Sequence, residues 1–173
     1  MTDLLVRLYD LPSLHPVVAA LKSQKICIRR ANPAEAEDIV PWIRQHFYPK
    51  WAAECQASLA HRPTTCYLAT EILPLPNPTE YPYDLPPERL IGFACYDTVA
   101  RGMFGPEGVL PQDRGRGIGK ALLLACMHAM ADAGYAYAVI AWAGPIDFYC
   151  KVVGATPIPD SEPGIFRGPL VTG

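Results

Sequence analysis

The stretch that most restricts the fold is Val109-Leu110-Pro111-Gln112-Asp113-Arg114-Gly115-Arg116-Gly117-Ile118-Gly119-Lys120, which runs straight into Ala121-Leu122-Leu123. A strand-like segment stops, three glycines fall within five positions, and an apolar helix begins at once. Glycines this dense let backbone N–H groups approach a ligand without side-chain obstruction. The first turn of a helix leaves its N–H groups unpaired and carries partial positive charge, so the place suits a phosphate. Arg114, Arg116 and Lys120 add cationic side chains around it.

Three phosphate-binding patterns compete for this turn. The P-loop, Gly-x4-Gly-Lys-Ser/Thr, fails because Arg114 stands at its first position and Ala121 at its last. The dinucleotide pattern GxGxxG, counted from Gly115, fails at Lys120. The pattern Arg/Gln-x-x-Gly-x-Gly/Ala fits as Arg114-x-x-Gly117-x-Gly119.

Around this turn the chain alternates strands and helices. Ile26–Arg29 alternates like a strand. Asn32-Pro33 starts a helix through Ile39, Trp42, Ile43 and Phe47, which Pro41 is expected to weaken or kink, and Trp51–Leu59 gives a second short helix. Strands are expected over Thr65–Ile72 and Arg89–Tyr96, separated by a proline-rich loop at 73–88, with a third ending near Val109–Leu110. A long helix runs from Gly117 to about Ala133, stopped by Gly134. Tyr135–Trp142 reads as a strand, Ile146–Val152 as a short helix and Phe166–Val171 as a last strand. Residues 1–25 read as an N-terminal extension that packs an extra strand or helix on the main fold. The expected architecture is one α/β (α+β) domain over 1–173, with a mixed, mostly antiparallel sheet flanked by helices.

Bulk properties exclude several roles. The chain has 173 residues, half of them hydrophobic, and a net charge of −2, which argues against nucleic-acid binding driven by a basic field. No apolar run is long enough to span a bilayer, so no membrane role is expected, and the N-terminus does not pattern as a signal peptide. The six cysteines show no CxxC pair and no Cys/His cluster, so no metal is expected and the thiols read as reduced and buried in a cytoplasmic protein.

The Arg114–Gly119 turn, the strand end at Val109 and a second motif at Phe148-Tyr149-Cys150-Lys151 resemble the GNAT superfamily of acyl-CoA-dependent N-acyltransferases over residues 26–157. The resemblance implies a GNAT-type fold and acetyl-CoA as co-substrate. The backbone of Arg114, Gly115, Arg116, Gly117, Ile118, Gly119 and Lys120 would bind its diphosphate. Val109 and Leu110 would pair with the pantetheine arm, and Phe148 would flank it. It places the Tyr149 phenol near the sulfur as general acid, and at the family level it suggests a homodimer. Two departures stand out: Trp142 and Pro145 replace the usual Asn and Ala, and Tyr149 to Gly154 is one residue longer than the family's spacing and lacks the following aromatic.

Aminolysis of a thioester also needs a base. The candidate is Glu107, just before the cofactor-pairing strand end, with Glu71 and Asp97 as others. The acceptor, an amine-bearing small molecule, peptide or protein, is expected to contact Trp42, His46 and Trp51, with Tyr48, Glu54 and the 73–88 loop nearby. Alternatives from other classes are a non-catalytic acyl-CoA sensor or interaction module, and a nucleotide-phosphate binder.

Overall fold

A computed structural model describes residues 1–75 and 85–165; the last expected strand (166–171) and most of the 73–88 loop fall outside the described residues. Seven strands form one sheet: β1 (Leu4–Arg7), β2 (Ile26–Arg30), β3 (Cys66–Ile72), β4 (Glu88–Tyr96), β5 (Met103–Val109), β6 (Tyr137–Ile140) and β7 (Thr156–Pro157). Their spatial order is β2-β3-β4-β5-β6-β1-β7. All neighbours are antiparallel except β5 and β6, which run parallel. Five helices flank the sheet: α1 (His15–Lys22), α2 (Ala36–His46), α3 (Pro49–Ala60), α4 (Ile118–Asp132) and α5 (Ile146–Val153).

Each face of the sheet has its own core. On one face α4 buries Leu122, Leu123, Leu124 and Met127 completely. A helix this apolar all round is a core helix, and it packs on β3, β4 and β5 with α1 beside it. On the other face α2 and α3 cover Leu68 and Phe93 with Ile39, Ile43 and Ala52. Among the described residues, no helix is long and apolar enough to cross a membrane.

Two local expectations change. Helix α2 runs unbroken through Pro41. Ile39 and Ile43 anchor one face, whereas Pro41 sits on the exposed side, where water serves the carbonyl that loses its partner. Residues 1–25 do pack a strand and a helix on the main fold, but the strand is interior rather than added at the sheet's edge. Strand β1 lies inside the sheet, pairing Leu4 with Ile140 of β6 on one edge and with Pro157 of β7 on the other. Leu4 and Val6 are fully buried in the core that α4 fills on its face of the sheet.

The site is positioned by one divergence. Strand β5 pairs with β6 only at Met103–Val139 and Phe104–Ile140. Beyond an irregularity at Gly105–Pro106, β5 pairs with β4 again from Ala94–Glu107 to Gly92–Val109, while it leaves β6 behind. Gly105 takes φ +120°, a conformation closed to L side chains, at the point where the two strands part.

Candidate active site

The divergence of β5 from β6 opens a cleft of about 830 Å³ that reaches the start of α4. Gly115 and Gly117 hold φ of +78° and +88°, and nothing lies within 4 Å of where a Cβ would stand on either. Gly117 is the N-cap of α4, with no side chain capping the helix. The first amide of this region to find a backbone acceptor is that of Ala121, bonded to the Gly117 carbonyl at 3.1 Å. Among the described residues the N–H groups of residues 115–120 have no hydrogen-bond acceptor, which leaves an open glycine cradle that fits a diphosphate.

The charges around this cradle divide unequally. Arg114 and Lys120 are exposed, and neither forms a salt bridge among the described residues. Arg116, expected as a third free cation, is instead a brace: it pairs with the buried Asp113 at 2.7 Å and with Glu71 at 3.2 Å. Arg89 bonds the same two acids at 3.1 and 2.8 Å. This four-residue network neutralises Asp113 beside the turn and holds the turn against β3 and β4. Glu71 is consumed in it and does not line the cleft. Asp97 is consumed elsewhere, accepting from the Gly102 amide at 2.7 Å and the Tyr135 hydroxyl at 2.8 Å.

Val109 lines the cleft, and its carbonyl accepts from Arg114 Nε at 3.1 Å. Leu110 does not line it: the side chain is buried, and its amide bonds the Ile91 carbonyl at 3.0 Å. The exposed edge of β5 thus ends at Val109, one residue earlier than expected.

Glu107, Phe148 and Tyr149 come together on the cleft wall. Glu107 Oε1 is shut off from water and has no hydrogen-bond partner. Burial pushes its carboxyl up to about 8. Tyr149 is almost wholly buried, packed edge-on against Phe104 and Phe148, with no hydrogen bond to its hydroxyl among the described residues. Burial first, and the charge of Glu107 second, push its phenol above the usual tyrosine range.

On the α2–α3 side, Trp51 and Glu54 line the cleft, joined by Phe47. Trp42 and His46 do not. Trp42 packs behind the wall on Phe47 and Phe93, and His46 lies exposed against Trp42. Tyr48 is exposed as well. Phe47, Phe104 and Trp142 contribute to the wall without having been singled out from the sequence. The one signal for Phe47 is Gly108: a Cβ there would stand 2.6 Å from the Phe47 ring.

Three cysteines that look scattered in the sequence meet in the core. Cys66 and Cys95 face each other across β3 and β4, and Cys55 of α3 lies 3.8 Å from Cys66. All three are fully buried, and their Sγ atoms lie within 4.8 Å of one another, close enough to share one metal ion.

No family model and no curated protein matches this sequence. Solved structures do match its fold. One is the GCN5-related glucosamine N-acetyltransferase region of a fungal multi-domain GH3 β-N-acetylglucosaminidase, with a TM-score of 0.68 and 17% identity over 91% of this chain and 19% of that one. A GCN5-related N-acetyltransferase from Sphaerobacter thermophilus gives 0.59 at 16% identity, covering 91% of this chain and 48% of that one. A Drosophila protein gives 0.57 at 16% identity, over 91% and 47% of the two chains. The chain thus spans less than half the length of each of these neighbours.

Proposed function

Because the chain has the fold of the GCN5-related N-acetyltransferase (GNAT) superfamily, we propose that it transfers an acetyl group from acetyl-CoA to an amine. The observation that carries this reading is the cleft. It joins amides at the start of α4 to a carboxylate and a phenol, all without hydrogen-bond partners among the described residues. A module that only senses acyl-CoA has no use for a buried, unpaired carboxylate, whose desolvation works against folding.

Acetyl-CoA, when bound, supplies the thioester carbon and the leaving sulfur. The amides of residues 115–120, with Arg114 and Lys120, hold its diphosphate, while Val109 and Phe148 border the arm. Holding both reactants in line removes much of the entropic barrier, on the order of 7–11 kcal/mol for well-oriented groups.

The amine must lose a proton, which for a lysine-like group at pH 7 costs about 4.6 kcal/mol. That first proton leaves to solvent and frees the lone pair; Glu107, held near 8, is a stronger base than an ordinary carboxylate and takes the second proton from nitrogen as the N–C bond forms. Its protonation removes the negative charge beside Tyr149, so the phenol becomes a better acid just as the sulfur departs. Tyr149 protonates the sulfur as the C–S bond breaks. The proton on Glu107 then returns to the phenolate and resets the site.

The test is thiol release from acetyl-CoA over a panel of amines, comparing wild type with Tyr149→Phe. Turnover that falls in the variant while acetyl-CoA affinity holds supports the reading. Tight binding without turnover for any amine favours the sensor, and ATP competing at equal affinity favours a nucleotide site.

A further inference from the structure

The cleft carries charges of both signs. Arg114 and Lys120 stand where α4 begins, and α3 sends in Trp51 and, one turn later, Glu54. Glu54 makes no hydrogen bond or salt bridge among the described residues. Half-burial raises its carboxyl, against a weaker opposing pull from Lys50 one turn earlier. Beside it the rings of Phe47 and Trp51 stack at 6.0 Å and 27°, and both rest edge-on against Phe93. Gly108 presses on Phe47 from below, so this aromatic wall has little freedom to turn away.

A partly desolvated carboxylate without a partner is unfavourable, and an incoming cation relieves it. Flat aromatic faces beside it favour an ammonium and, next to that, another apolar ring. A sugar amine would bring several hydroxyls against the apolar rings of Phe47 and Trp51, where Glu54 is the polar side chain beside them. A peptide would bring its backbone against the same apolar rings. The cleft of about 830 Å³ must also admit the thioester arm, which limits the acceptor's size.

We infer that the acceptor is a small primary amine with an apolar, ring-bearing body, its ammonium received by Glu54 and its ring laid on Phe47 and Trp51. This rests on the acetyl-transfer reading of the same cleft. Glu54 draws the ammonium in, one proton leaves to solvent, and the more deeply buried Glu107 takes the second as the N–C bond forms.

Wild type and Glu54→Gln are to be compared with phenethylamine, glucosamine and Nα-acetyl-lysine amide as acceptors, with acetyl-CoA binding followed by calorimetry. Expected is a phenethylamine KM at least about tenfold below the other two, raised about tenfold by Glu54→Gln, with acetyl-CoA affinity unchanged. Preference for glucosamine or the lysine derivative overturns the inference. So does an unmoved phenethylamine KM in the variant, or acetyl-CoA binding with no phenethylamine turnover. Absence of any acetyl-CoA binding brings down the acetyl-transfer reading instead. Phenethylamine titrated alone, followed by tryptophan fluorescence, then decides: binding weakened by Glu54→Gln upholds the amine site, and no binding overturns it.

Discussion

Gly119 and Glu107 face each other at the start of α4: a methyl added to Gly119 would stand 3.3 Å from Glu107 Oε1 and 3.9 Å from Phe148. Gly119 therefore leaves room for the carboxylate of the neighbouring strand as well as for a ligand at its own amide. Replacing it with Ala should push Glu107 aside while leaving the backbone of residues 115–118 in place. The expected result is a kcat lower by about tenfold or more, with a smaller change in acetyl-CoA affinity, read from steady-state kinetics and calorimetry.

Glu107→Gln should act on rate and stability in opposite directions. The folded carboxyl sits at about 8, above the ordinary carboxyl value of 4.5. Between those two values the unfolded chain ionises while the folded one keeps its proton, so the unfolded state binds fewer protons and stability falls as pH rises. Gln carries no such penalty. The variant should gain roughly 1–3 kcal/mol over wild type at pH 8, allowing for screening by cleft water, and should gain nothing at pH 4. Its kcat should drop about 10²–10⁴-fold, and the rise of wild-type kcat/KM toward pH 8 should vanish. Thermal melts across pH and a pH–rate profile check both halves.

Tyr149→Phe removes one hydroxyl from a site where rings already surround it, so the fold should hold. Loss of the sulfur's proton donor should lower kcat by about 10–100-fold and leave acetyl-CoA affinity within about twofold. Weakened binding with an intact rate would remove the acid role.

At Gly117, φ of +88° makes any side chain strained, although there is open space for one. Gly117→Ala should cost about 1–2 kcal/mol or tilt the first turn of α4. Acetyl-CoA affinity should fall by about tenfold with little change in kcat at saturation, as measured by calorimetry and kinetics.

The glycine-rich turn before α4 was legible because its signals are local: dense glycines, a strand ending and an apolar helix within fifteen residues. Glu107 and Tyr149 were nameable from their offsets to that turn and to Phe148, but their burial was not. Arg116 read as a free cation because only the fold buries its near neighbour Asp113 beside it and brings up Glu71, 45 positions away on β3. The meeting of Cys55, Cys66 and Cys95 was hidden in the same way, since helix α3 and two paired strands must assemble before the thiols approach. The aromatic wall was half legible. Trp51 and Phe47 reach the cleft, while Trp42, at the same helical spacing, turns to the core, and periodicity does not separate a cleft face from a core face.

The place of β1 between β6 and β7 has a consequence for how the molecule is made. At a translation rate of about 5–20 residues per second, Leu4–Arg7 waits roughly 7–26 s before Tyr137, its first partner in β6, is even synthesised. During that interval Leu4 and Val6 have no native neighbour on either edge, and β6 and β7 likewise stay open until β1 is threaded between them. Sheet closure is therefore a late, long-range event, and the nascent chain spends it with an apolar strand open to capture by chaperones or by a second copy of itself.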